Sequence, residues 1–394
     1  MKIAVLHGAF KNAGDFLIRE RAKKLLLAEY PDAEMVDFLR GEQLDPCIDR
    51  INSCDIAIIT GGPCYMEDFY PSPAFRFVSD LERIKIPMMV LGAGWYGMRP
   101  EDASVYTFHF TPATEKLWRF VERSGASMGC RDWYSYRLLY SHGFLNALMT
   151  GCPAWYSLEH IGETRLRQDL LINGRRICIS EPAYYSSYTF LPDLFEFLHH
   201  RFPDSPLEFI SHRGAHSGAA DPDSLEACAK LPGLLREKGI TFRNIAGSAD
   251  GFSVYDSCGL HLGFRVHAHI YNLSVRNVSI LLKEDGRGTG VDQALGLPTV
   301  QTWNTSCPLQ TSSTVRTMLS RIKRKLLNQP PLSPWFPSSS NPYFLQSLED
   351  CIALLESTEG LLLENAFQRM RNYFSVMCRH IRQIPRVCER YHKT

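Results

Sequence analysis

The sequence predicts an α/β protein made of two Rossmann-like domains followed by a helical C-terminal extension. Three observations predict it. Short apolar runs alternate with longer helix-patterned segments, the rhythm of parallel sheets with crossover helices. Several of those runs end in glycine, where an open α/β sheet receives its ligands. The series breaks once, at the charged connector LEHIGETRLRQDLLINGRR, and then resumes. At 394 residues the chain exceeds one comfortable core, so two domains are expected.

The first series gives strands at KIAVLHG (2–8), CDIAIITGG (54–62), MMVLGAG (88–94), ASMGCRD (126–132) and ALMTG (147–151). Helical periodicity fills 15–30 and 114–125 between them. The second series reads RICISEP (176–182), LEFISHR (207–213), ITFRNIA (240–246), GLHLGFRV (259–266) and VSILLKED (278–285), with TVQTW (299–303) as an edge strand. The expected domains are therefore 1–165 and 166–327. Residues 328–345 form a Pro/Ser-rich loop, and helical patterns follow it. In the longer one, Leu362, Phe367, Met370, Phe374 and Met377 fall near one stripe, so that helix packs on the body. The basic stretch RQIPRVCERYHKT reads as a solvated end, with contact to an anionic membrane surface as the alternative.

Composition removes several classes. Hydrophobic residues at 45% and charged residues at 22% are those of a folded globular protein. A net charge of +1 excludes a nucleic-acid binder that works by neutralising many phosphates, but leaves room for a local anion site. The twelve cysteines form no C-x-x-C, so neither a zinc ribbon nor a thioredoxin motif is expected, and no metal-ligand spacing is seen. Cys54 and Cys178 sit in apolar runs and read as small buried thiols. MKIAVLHGAFKNAGD reads as a first strand rather than a signal peptide, and no apolar run reaches the roughly 18 residues of a membrane span. A reducing, cytoplasmic compartment is the expectation.

The chemistry concentrates at strand ends. GFRVHAHIYN (263–272) sets Arg265, His267 and His269 in an apolar run where a strand gives way to a helix. A helix N-terminus favours an anion, Arg265 offers a planar fork for carboxylate or phosphate, and His267 suits acid–base work. The bland alternative makes the histidines core groups and pairs Arg265 with a buried acid. KEDGRGTG (283–290) places Lys283, Glu284, Asp285 and Arg287 at the same edge. CRDWYS (130–135) contributes Arg131 and Asp132, with Asp132 or Ser135 as the helix cap. In NAGD (12–15), Asp15 suits an N-cap and Asn12 a turn. Loop 180–190 is rich in aromatic and hydroxyl groups, and loop 211–222 carries His212, Arg213, His216 and Asp221. Neither a dinucleotide fingerprint nor a P-loop is present.

Taken in order, Asn12-x-Gly14-Asp15, Gly61-Gly62, Gly92-Ala93-Gly94, Arg131-Asp132-x-x-Ser135, Gly151-Cys152-Pro153 and Gly263-Phe264-Arg265-Val266-His267 resemble the polysaccharide pyruvyl transferase family, from residue 1 to about 300. The resemblance implies a GT-B-like fold, two Rossmann-like domains facing a cleft, the first on the acceptor side and the second on the donor side. It also implies transfer of pyruvate from phosphoenolpyruvate onto two hydroxyls of a sugar as a cyclic ketal, in polysaccharide or exopolysaccharide biosynthesis. By the same resemblance Arg265 meets the anionic donor, and His267 serves acid–base work or the leaving phosphate. Arg131 is a second anion contact, while Asn12 and Asp15 face the cleft, with Asp15 orienting or deprotonating the acceptor. His269, Asp285, Arg287 and His212 complete the candidate substrate-binding set. No cofactor beyond the donor substrate is implied, and the acceptor is a sugar or a lipid-linked oligosaccharide. Peripheral contact with the inner face of the membrane and a homo-oligomer stay open. Where the family often has three glycines this chain has Gly61-Gly62-Pro63, which removes one N–H. The alternatives are a nucleotide-sugar-dependent GT-B glycosyltransferase and a non-catalytic sugar-binding protein.

Overall fold

The computed structural model describes residues 1–95, 97, 105–167, 173–213, 222–302 and 342–391. Two six-stranded sheets, parallel throughout, form its frame. The first contains β1 (Lys2–His7), β2 (Glu34–Leu39), β3 (Ile56–Tyr65), β4 (Met88–Trp95), β5 (Met128–Cys130) and β6 (Ala147–Met149) in the order 2-1-3-4-5-6. The second contains β7 (Ile177–Ser180), β8 (Leu207–Ser211), β9 (Thr241–Asn244), β10 (Leu260–Gly263), β11 (Ser279–Lys283) and β12 (Val300–Gln301) in the order 12-11-10-7-8-9. β4 is buried along its whole length, as expected of a strand covered on both faces.

Every strand read from the sequence is present among the described residues, one to three residues shorter at most ends. One was missed. β2, EMVDFL, is a half-buried edge strand in which Glu34 and Asp37 cut the apolar residues into pairs, so it contains no long apolar run. Its register on β1, from Lys2↔Glu34 to His7↔Leu39, carries the chain to Arg40. The Pro/Ser-rich loop lies outside the described residues up to residue 341, as do Trp303, His216 and Asp221.

The carboxyl edges of the two sheets meet. Ala13 N–H, just past β1, donates to the His212 carbonyl past β8 at 2.9 Å. Gly286 N–H, past β11, donates to the Gly97 carbonyl past β4 at 2.7 Å. Gly247 N–H likewise donates to the Lys11 carbonyl at 2.9 Å. This is the GT-B-like arrangement: two Rossmann-like domains facing a cleft lined by strand ends. Gly92 belongs to this frame. It adopts φ 61°, and a Cβ there would stand 2.1 Å from the Gly151 carbonyl, so only glycine fits.

Beyond the second sheet, helices 344–357, 361–381 and 384–391 form the C-terminal extension. In the middle one Leu363, Ala366, Phe367, Met370, Met377 and Ile381 are buried, and the larger of these are worth about 1.5–3 kcal/mol each on burial. This helix returns to the first domain: His380 Nε2 meets the Val90 carbonyl at 2.8 Å, and Tyr30 Oη donates to the Ile381 carbonyl at 3.2 Å. The basic stretch after it is a short helix with Ile384 and Val387 buried. Among the described residues no helix is long and apolar enough to cross a membrane. All described cysteines are free thiols, with Cys54 and Cys178 buried.

Candidate active site

The site lies where the helices that follow β1, β5, β10 and β11 begin. Helix α1 (Ala13–Glu29) is capped by Asn12, whose Oδ1 accepts from Gly14 N–H at 3.4 Å. The sequence reading had Asp15 as cap. Asn12 takes that position because it has the extended backbone, and Asp15 falls in the first turn, accepting from Asn12 Nδ2 at 3.1 Å. Burial raises the Asp15 pKa, opposed first by the charge of Arg40, then by the Asn12 bond and by Arg213 and Arg287.

Asp132 caps the helix 133–141: its Oδ1 accepts Ser135 N–H at 2.8 Å and Ser135 Oγ at 2.7 Å. Ser135 is thus in the first turn, where its Oγ also accepts Trp95 N–H at 2.7 Å. Arg131 is buried, with Nε on Asp132 Oδ2 at 2.9 Å and Nη2 on the Trp95 carbonyl at 3.0 Å. Asp285 caps the helix 286–295 and is bound by Arg287 and by Tyr184 Oη at 2.9 Å. Burial opposes ionisation of Asp285, but the Arg287 charge and bonds outweigh it and hold its pKa below the usual range.

Helix 266–274 differs from these, since no side chain caps it. Arg265, at its N-cap position, is buried. Its Nη2 meets Glu181 Oε1 at 2.7 Å and the Pro182 carbonyl at 3.0 Å, while its Nε has no partner. Glu181 was missed in the sequence, where it passed as the end of a strand. The same carboxylate accepts Ser211 Oγ at 2.6 Å and the N–H groups of His212 and Arg213 at 2.8 and 2.9 Å. It therefore ties the loop after β8 to Arg265.

His267, in the first turn of that helix, crosses to the first domain. A Cβ on Gly14 would lie 2.2 Å from its Nδ1 and 2.5 Å from its Cγ, so the imidazole rests directly on the start of α1. Its pKa is lowered to about 3, chiefly by burial and then by Arg287, Arg131, Arg265 and Arg213. A neutral imidazole under the charge of four guanidinium groups, at the start of a helix, is an environment for an anion. Gly290 brings the second domain against Asp132, since a Cβ there would fall 2.7 Å from the Asp132 carboxyl carbon.

Asn12, Asp15, Arg131, Arg265, His267, Asp285 and Arg287 thus come together. His212 stands just behind, fully buried, with Nε2 at 2.7 Å from Tyr255 Oη. The structure does not bring His269 to the cleft. It is fully buried, bonded through Nδ1 to Ser279 Oγ at 2.7 Å in a network with His261 and Ser180. One turn of helix cannot present residues two apart on the same side, so facing His267 to the cleft sends His269 into the core. Two further residues join the site unread from the sequence as site residues. Glu284 accepts Ala183 N–H at 2.7 Å, and burial raises its pKa to about 7. Arg40 enters from the end of β2.

Solved structures of similar architecture have low identity and modest overlap. An S. aureus MnaA–UDP structure has 12% identity and a TM-score of 0.45, covering 91% of this chain and 97% of its own. A Neisseria meningitidis UDP-GlcNAc 2-epimerase bound to UDP-GlcNAc has 13% identity and a TM-score of 0.44, with 90% and 100% covered. An Anabaena protein, HepE, in complex with UDP and glucose has 10% identity and a TM-score of 0.45, with 97% and 98% covered. No curated protein sequence matches the chain. The model of one family, polysaccharide pyruvyl transferase, matches residues 12–271, from the cap of α1 through the helix that carries His267. The chain belongs to the polysaccharide pyruvyl transferase family.

Proposed function

We propose that this protein moves the pyruvyl group of phosphoenolpyruvate onto two hydroxyls of a glycan sugar, forming a cyclic ketal. The observation that carries the reading is the His267 imidazole resting on the start of α1 at the domain junction, under the charges of Arg131, Arg213, Arg265 and Arg287. Phosphoenolpyruvate brings a carboxylate and a phosphate to such a site, and arginine forks and helix N-termini suit both.

The reaction adds a proton to the methylene carbon of the donor, leaving oxocarbenium character at the adjacent carbon. One sugar hydroxyl attacks that carbon and gives up its proton, and we assign Asp15 as the carboxylate that takes it. The bond to phosphate then breaks as the second hydroxyl closes the ring, and phosphate leaves with that hydroxyl's proton. The arginines hold the phosphate and stabilise its departure. Glu284 is the carboxyl group suited to give the first proton, because its pKa of about 7 keeps it partly protonated at neutral pH.

Calorimetric titration with phosphoenolpyruvate, beside UDP-, GDP- and CMP-sugars, tests the reading. Saturable phosphoenolpyruvate binding that weakens at least tenfold in His267→Ala and Arg287→Gln is expected. Binding of a nucleotide-sugar alone would replace pyruvyl transfer with glycosyl transfer. A pH series adds a second prediction. Glu284 is neutral below about pH 7 and becomes an anion beside Arg265 above it, so donor affinity falls as pH rises through 7. Glu284→Gln should flatten that fall. An unchanged profile in the variant would remove Glu284 from the site.

A further inference from the structure

The ring around His267 is not the cleft's only cationic feature. Arg40 follows β2 in the first domain and is 6% exposed. Its Nη1 donates to the Gly61 carbonyl at 3.0 Å and to Cys64 Sγ at 3.1 Å, and its face covers Phe69 with the guanidinium carbon 5.5 Å from the ring centre. Nε is buried with no partner, and among the described residues no carboxylate pairs with Arg40. A buried arginine without a direct ion pair is costly, and elsewhere in the cleft it is avoided: Arg131 has Asp132, Arg265 has Glu181 and Arg287 has Asp285.

The guanidinium lies under bare backbone. A Cβ at the half-buried Gly8 would come within 3.1 Å of Nη2 and 3.2 Å of Nε, and one at Gly62 within 3.2 Å of Nη2. Gly8 directly follows β1 and Gly62 lies in the carboxyl half of β3, on the side of the first sheet that faces the cleft. Arg40 is also distinct from the donor ring. It follows β2 in the first sheet, and Asp15 feels its charge first and those of Arg213 and Arg287 after it. Asp15 is therefore under the influence of both.

We propose that Arg40 centres a second oxyanion subsite, reached past Gly8 and Gly62, and that the acceptor carries a negatively charged phosphate or carboxylate that docks there. Naming the ligand an acceptor rests on the transfer reading above; the subsite itself does not. A guanidinium with an unused Nε–H, beside backbone that carries no side chain, keeps a donor for an oxyanion that would complete its bonding. The donor, in the transfer reading, lies at His267, next to the helix that carries Asp15. The two anions would then hold the sugar hydroxyls across that carboxylate.

The test uses inorganic phosphate titrated calorimetrically into the full-length protein. Two classes of site are expected. Arg40→Met removes one, weakening it about 10- to 100-fold, the loss of one charge-assisted pair. Arg287→Gln removes the other. Gly8→Ala leaves the charge in place but sets a methyl against the guanidinium, so it should weaken the Arg40 class alone; its backbone φ is not in the left-handed region. If Arg40→Met fails to fold by thermal melting, Gly8→Ala decides. A single phosphate class, or two classes untouched by both first-domain variants, overturns the proposal and leaves Arg40 as a brace for the Gly61–Gly62 turn.

Glucose 1-phosphate, glucuronate and glucose then separate the sources of charge. Arg40-dependent binding of the first alone indicates a phosphorylated acceptor, of the second alone an acidic sugar, and of both a general oxyanion site. Equal binding of neutral glucose, insensitive to Arg40→Met, counts against it. Failure of phosphoenolpyruvate to bind would sink the donor assignment without touching these results.

Discussion

Gly14→Ala is expected to weaken phosphoenolpyruvate binding about ten- to a hundredfold while both domains stay folded. The new methyl would lie 2.2 Å from His267 Nδ1, 2.5 Å from Cγ and 2.9 Å from Cβ, so it meets the base of the side chain as well as its tip. The ring cannot rotate clear, and either His267 leaves the cation ring or the start of α1 retreats. Overpacking of this kind costs about 1–3 kcal/mol, which sets the range. Gly162→Ala is the matched control, since a Cβ there meets nothing within 4 Å. The double variant Gly14→Ala/His267→Ala removes the clash, so the two losses should not add. Additive losses would mean that Gly14 and His267 act separately.

Glu181→Ala is expected to lower the free energy of unfolding by about 3–5 kcal/mol, the usual result of stranding one member of a buried ion pair. Arg265, at 6% exposed, would lose the carboxylate it is ion-paired with, and Ser211 Oγ and the N–H groups of His212 and Arg213 would lose an acceptor. Because His212 also accepts from Ala13, the loop it anchors is part of the contact between domains. Glu181→Gln preserves the shape and some of the bonds, so it should cost less. Denaturant titrations of the two variants measure both numbers. A loss under 1 kcal/mol in the alanine variant would show that Arg265 finds another partner.

Most of the frame was legible because buried parallel strands are written as apolar runs. The exception is instructive. In β2 Glu34 and Asp37 leave no more than two apolar residues in succession, so no apolar run marks it or Arg40, whose importance comes only from where β2 delivers it. Arg265 and His267 were legible as charges in an apolar run. What the run did not reveal was the division of labour among its three polar residues. Helical geometry sends His269 to Ser279 in the core, and the carboxylate that neutralises Arg265 comes from a strand 84 residues earlier. Asn12 and Asp15 exchange roles for a local reason, since the cap belongs to whichever residue is last extended. Glu284 is conspicuous in sequence only as one charge in KEDGRG; burial makes it a group that titrates near neutrality.

The return of helix 361–381 to the first domain bears on the order in which the protein is made. His380 meets the Val90 carbonyl across a sequence separation of 290 residues, and Arg382 reaches Glu29 across 353. During synthesis the first sheet emerges long before the helix that covers it. The face around Val90 must therefore wait, exposed to water and to other nascent chains, while the entire second domain is translated. Contacts of such length are closed late and slowly. The vulnerable period of this protein is thus set by the ribosome: its first domain is finished only by a helix made after the whole second sheet.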